Sequence, residues 1–147
     1  MKRSKRLDVV LRLYQRREDQ AAELVARARA ELESHEAQLQ QLQDYQADYE
    51  RGAQTPDQGG VTMAQWKRLQ DYIEQLDGII RQQTRQVGLA QVELERVQVL
   101  WQNAHLERRS MESAIERISR LEQVEAARKE QKLLDEMIQQ QQRRKLN

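Results

Sequence analysis

Two runs of apolar residues, spaced alternately three and four apart, govern what this chain can fold into. The first spans seven heptads, with a at Ser4, Leu11, Glu18, Val25, Leu32, Leu39 and Gln46, and d at Leu7, Tyr14, Ala21, Ala28, His35, Leu42 and Tyr49; ten of the fourteen are apolar. The second spans eight, with a at Trp66, Ile73, Ile80, Val87, Leu94, Trp101, Arg108 and Ile115, and d at Leu69, Leu76, Gln83, Ala90, Val97, Ala104, Met111 and Ile118; fourteen of sixteen are apolar. A repeat of 3.5 residues held this long belongs to a helix whose seam meets another helix. A layered core is excluded as well, because 38% hydrophobic residues spread this evenly, with no phenylalanine, can fill a seam and little more.

The two runs are separated by strong punctuation. Gly52 follows the last periodic residue as a C-cap glycine would. Pro56 and Gly59-Gly60 forbid a continuous helix. Thr62 with Gln65 forms a T-x-x-Q capping box, and Val61 with Trp66 occupies the places of a hydrophobic staple. The expectation is therefore all-α: a long antiparallel two-helix coiled-coil hairpin with an overhanging C-terminal helix. Helix one covers about residues 4–51, the turn 52–62, helix two about 63–140, and a frayed basic tail 141–147.

Side-chain size suggests a register. Antiparallel packing of a against d sets Tyr49 against Trp66 and Leu42 against Ile73 near the turn, and farther down Ala28 against Val87 and Ala21 against Leu94 set small residues opposite large ones. Ser4 then faces Met111, and residues from 112 onward have no partner, an overhang of roughly 50 Å at 1.5 Å per residue. Within it Ile115, Ile118, Leu121 and Val124 run by threes, a slip that overwinds a supercoil. Gly78 and Gly88 fall on the outer side of helix two, as tolerated surface residues or as points of local softness.

The sequence offers little chemistry. With no cysteine there is no disulfide framework and no thiolate metal site. The opening MKRSKRLDVVLRLY has a basic head, but Asp8 and Arg12 interrupt its apolar run, so neither a signal peptide nor a membrane span is expected. Gly59-Gly60 lacks the lysine of a phosphate-binding loop. His35 occupies a d position opposite Ile80 and reads as a register-setting polar residue rather than a ligand. No catalytic, cofactor or metal residue is assigned, and no small-molecule substrate is expected.

Charge is polarised along the chain. Residues 1–17 carry seven basic side chains and one acidic, and residues 18–50 two basic and nine acidic. The clusters KRSKR and RRK could attract phosphate, but neither has an aromatic residue interleaved for base stacking. Solvated termini are the plainer reading, and a basic coiled-coil nucleic-acid binder is the outlying alternative.

The flank beside the seam is less ordinary. Antiparallel helices set their g rows side by side, here Gln38 and Tyr45 with Tyr72 and Ile79, bordered by Leu42, Tyr49, Leu76 and Gln83. Such positions are normally Glu, Lys or Arg. Two tyrosines and an isoleucine there either widen the two-helix core or form an exposed apolar patch for a partner.

These residues carry a resemblance. The pattern Q-x-x-x-L-x-x-Y-Q-x-x-Y at Gln38 to Tyr49, a short Gly-containing turn, then W-x-x-x-x-x-Y-I-x-x-L-x-x-I-I at Trp66 to Ile80, resembles the FliJ family of the flagellar type III export apparatus. The resemblance implies a non-enzymatic, stalk-like coiled coil without cofactor. Its implied partners are the hexameric export ATPase, the cytoplasmic domain of the membrane export gate, and export chaperones. The implied location is cytoplasmic, at the membrane face of the flagellar base. The implied gate patch falls on Gln38, Leu42, Tyr45, Tyr49, Tyr72 and Leu76. Ile79 and Gln83 depart from the small residue and histidine of the family pattern. The open end of such a hairpin is the ATPase-facing one, which here places Arg12, Arg16, Arg17, Ile115, Ile118, Leu121 and Val124 in that role. The stalk of a virulence-type secretion system shares the architecture and is the nearer alternative; it should lack the tyrosine patch.

Overall fold

The computed structural model describes residues 3–53 and 62–146. They form two helices that pack against each other, α1 (Arg3–Ala53) and α2 (Met63–Leu146), with no strand among the described residues. Pro56, Gly59, Gly60 and the Val61 half of the expected staple lie outside them. The start of α2 is built as its sequence requires. Gln65 N donates to Thr62 Oγ1 at 3.2 Å while Thr62 N donates to Gln65 Oε1 at 3.1 Å, so each side chain satisfies the other's free backbone donor. The helical ladder then opens with Trp66 N donating to Thr62 O at 3.0 Å.

The helix ends differ from expectation. Gly52 is not a cap but part of the last turn of α1. At the other end, α2 continues to Leu146 through the stretch expected to fray. Gln, Arg and Lys are good helix formers. Arg143, Arg144 and Lys145 also sit in the last turn, where cations meet the negative end of the helix dipole.

The seam follows the heptads. All sixteen a and d positions of α2 are buried or half-buried, and so are those of α1 except Tyr49. The described residues group into two compact units, one of residues 1–19 and 103–147, the other of residues 20–102.

Within the second unit, Gln83 Nε2 donates to the His35 carbonyl at 3.0 Å, and Gln46 Nε2 donates to Asp77 Oδ1 at 2.6 Å. Within the first, Ser4 Oγ donates to Glu122 Oε2 at 2.7 Å, and Arg108 Nε donates to Glu18 Oε2 at 2.7 Å. These pairs are centred one heptad farther along α2 than the expected register, with the a–a pairs Ser4–Glu122 and Glu18–Arg108 about one turn to one side of that centre and the d–d pair His35–Gln83 about one turn to the other. In that register Leu42 is set opposite Ile80 rather than Ile73, Ala28 opposite Leu94 and Ala21 opposite Trp101.

The physical reason is polar. In the expected register the nearest seam positions, facing and diagonal, would be Val97 and Trp101 for Glu18, Leu32 and Ala28 for Gln83, and Leu7 and Leu11 for Arg108, each an apolar wall. Seam positions of that kind are costly unless paired. The observed register pairs Glu18 with Arg108 and His35 with Gln83, and small still meets large at Ala28 and Ala21.

The shift shortens the overhang. Because Ser4 reaches Glu122, Ile115 is buried and Ile118 half-buried in the seam. The seam passes through Glu122, whereas Leu121 and Val124 are exposed, so the run by threes leaves the interface after Ile118. Every residue from Gln123 to Leu146 is exposed, a helix of roughly 36 Å at 1.5 Å per residue.

Candidate partner-binding surfaces

The patch expected near the turn lies within the second unit, on one flank of the paired helices. Tyr45 (49% exposed), Tyr72 and Ile79 are exposed, as g positions of an antiparallel pair should be. Tyr49 was expected in the seam but is 39% exposed. Its ring meets Tyr72 edge-on, with centroids 5.0 Å apart and planes at 73°. This T-shaped contact orders two aromatic surfaces without covering either. Tyr49, Tyr72, Gln65, Arg68 and Leu69 line a shallow hollow of about 420 Å³.

The seam residues that border the expected patch are covered, Leu76 at only 5% exposure and Leu42 half-buried. The upper edge is polar. Gln83 Nε2 donates to Gln38 Oε1 at 3.2 Å and lies 3.1 Å from His35 Nδ1, so Gln83 holds Gln38 in place. Gln41 Nε2 donates to the Tyr45 hydroxyl at 3.1 Å. His35 is thus a polar seam residue with a polar partner, though the partner is Gln83 rather than a position beside Ile80.

The basic end is in the first unit. Arg12 and Arg16 are exposed and line, with Val9, Val10 and Leu13, a hollow of about 430 Å³ on α1. The Arg17 guanidinium instead lies over the Tyr14 ring, 5.4 Å from its centroid. Glu18 sits at the centre of a charged cluster, with Arg108 at 2.7 Å and His105 Nδ1 at 3.4 Å; Arg108 also reaches Glu112 at 2.6 Å. The hydrogen bond from Arg108 holds the Glu18 carboxyl below its ordinary range, against a smaller desolvation effect that pushes it up. Of the four apolar residues expected at this end, only Leu121 and Val124 are exposed; Ile115 and Ile118 belong to the seam.

A further surface has no counterpart in the expectations above. Leu89, Val92 and Val99 project from the solvent side of α2 within the second unit, more than half exposed. Their three-four spacing, continued through Arg96, was readable in the sequence as a second stripe beside the seam heptads.

Among the described residues, no group of three or more His, Cys, Asp or Glu side chains could hold a metal ion, and no helix is long and apolar enough to cross a membrane.

Two long helices packed against each other along a heptad seam, with exposed aromatic residues beside it, define an all-α coiled-coil hairpin. Comparison with protein families gives the particular one: the family described as Flagellar FliJ protein matches residues 3–147, and the chain belongs to that family. Neither the curated proteins nor the solved structures contain a match to this chain.

Proposed function

We propose that this chain is a non-enzymatic coupling and escort component of flagellar protein export. It joins the hexameric export ATPase to the cytoplasmic domain of the export gate and receives export chaperones, at the cytoplasmic face of the membrane. The observation that carries this reading is the exposed Tyr45, Tyr49, Tyr72 and Ile79 cluster on a flank that coiled coils ordinarily fill with charge. In this reading the cluster is the gate contact, and Arg12, Arg16, Leu121, Val124 and the overhang form the ATPase-facing end. The patch also favours this family role over a virulence-type stalk.

The test is a titration of the purified chain against the gate's cytoplasmic domain. Tyr45→Ala combined with Tyr72→Ala weakens binding by about 2 kcal/mol or more for each ring if both lie at an interface centre, while helicity by circular dichroism stays unchanged. Undiminished affinity removes the patch from the gate contact.

A further inference from the structure

Two apolar stripes on α2 are left uncovered. The first is the outer stripe of Leu89, Val92 and Val99, with Leu89 and Val92 64% and 63% exposed and Arg96 set in its middle. The second is on the overhang, where Ala127, Glu130, Leu134 and Met137 recur at three-four spacing and Leu133 and Ile138 broaden the face; all are exposed. Each stripe carries one charge at its centre, and the two charges have opposite sign.

We propose that in the free protein the overhang of one copy lies antiparallel on the outer stripe of a second copy. The alignment that sets Glu130 against Arg96 also places Met137 against Leu89, Leu134 against Val92, and Ala127 against Val99. No other apolar surface is needed, and neither central charge is left facing an apolar neighbour. Arg96 is already held by Glu93, at 2.6 Å and 3.0 Å, which leaves donors of its five-donor fork for a second carboxylate. Both stripes belong to one helix, and a helix cannot lie along itself, so the occupant is another molecule.

Net charge favours the same pairing. The unit that carries the overhang has seventeen basic and eleven acidic side chains, and the unit that carries the outer stripe has eight basic and thirteen acidic. Opposite fields of this kind steer encounter, and added salt weakens them.

The experiment is sedimentation analysis of the full chain over a wide concentration range. The expected result is a weight-average mass that rises with concentration and falls back with salt. Val92→Asp and Leu134→Asp each return the protein to monomer, and because both sites are exposed their helicity by circular dichroism is unchanged. An equimolar mixture of the two variants restores one good contact per pair, the intact overhang of one on the intact stripe of the other, and gives a heterodimer that grows no further. Arg96→Glu weakens association, and adding Glu130→Arg in the same chain restores it. A monomer at all concentrations overturns the proposal, as does association that survives Leu134→Asp. A mixture that stays monomeric, or a double charge reversal that fails to rescue, overturns the pairing as well.

Discussion

Arg108 donates through Nε to Glu18 at 2.7 Å across the seam, joining an a position of one helix to an a position of the other. Both residues interrupt heptads that are otherwise mostly apolar, and neither has a comparable partner in a register shifted by one heptad. Together with His35 and Gln83, this pair fixes how far α2 slides along α1.

The register is open to direct measurement. Cysteines at 42 and 80 should crosslink under mild oxidation, because facing seam positions bring Cβ atoms near disulfide distance. Cysteines at 42 and 73, one heptad away, should not. The reverse pattern would return the hairpin to the size-matched alignment.

Acid should loosen the same cluster. The Glu18 carboxyl titrates below its ordinary value of 4.5 in the folded protein. Its contribution is therefore complete above that ordinary value and is lost as pH falls through the depressed one. Thermal melts of the natural chain and of Glu18→Gln should converge as pH drops through this window. A constant offset across this window would mean that ionisation of Glu18 adds nothing to stability.

The two glycines within α2 make a clean stability test. A Cβ built at Gly78 or at Gly88 meets nothing within 4 Å. Gly78→Ala and Gly88→Ala should each stabilise the helix by about 0.5–1 kcal/mol in urea unfolding. If the stabilised proteins support export less well, the softness of these positions is itself used; equal export makes them tolerated surface residues.

Leu76 and Tyr45 should separate structure from recognition. Leu76→Ala empties a buried seam site and should cost about 2–5 kcal/mol of stability. Tyr45→Ala, half exposed, should cost little stability while weakening partner binding. A Leu76→Ala protein as stable as the natural one would show that the seam beside the patch is not packed as described.

Truncation after Glu122 removes only uncovered helix and spares the seam. Stimulation of the export ATPase should be lost while gate binding persists. Full stimulation by the shortened chain would place the ATPase contact elsewhere, on the Arg12 and Arg16 hollow first of all.

Much of this fold was written in the spacing of the apolar residues, because only one face of a long helix can be kept from water and the a and d rows name it. The register was not, for a reason internal to the repeat: sliding one helix by seven residues returns apolar rows to apolar rows. Side-chain size breaks that degeneracy weakly, since small meets large at Ala28 in either alignment. Polar seam residues break it strongly, and Glu18, Arg108, His35 and Gln83 were the signal to weigh. At the patch, Tyr45 and Tyr72 were legible as apolar intruders on a charged row. The burial of Leu76 was legible too, as a d position, whereas the outward turn of Tyr49 from its own d position was not.

Val97 is the most enclosed of the buried side chains, at 1% exposure, while Ala21, Ala28, Ile73 and Val87 each keep several per cent. A pair of helices has no second layer to close over its seam, so each rung is held chiefly by its own neighbours. Mechanical load then acts very differently by direction. Prised apart at Ser4 and Glu122, the pair yields rung by rung at low force. Loaded along the helix axis, the rungs of either unit share the strain, and Glu18–Arg108 in one and His35–Gln83 in the other resist slippage. Each unit is therefore weak against peeling and strong against sliding.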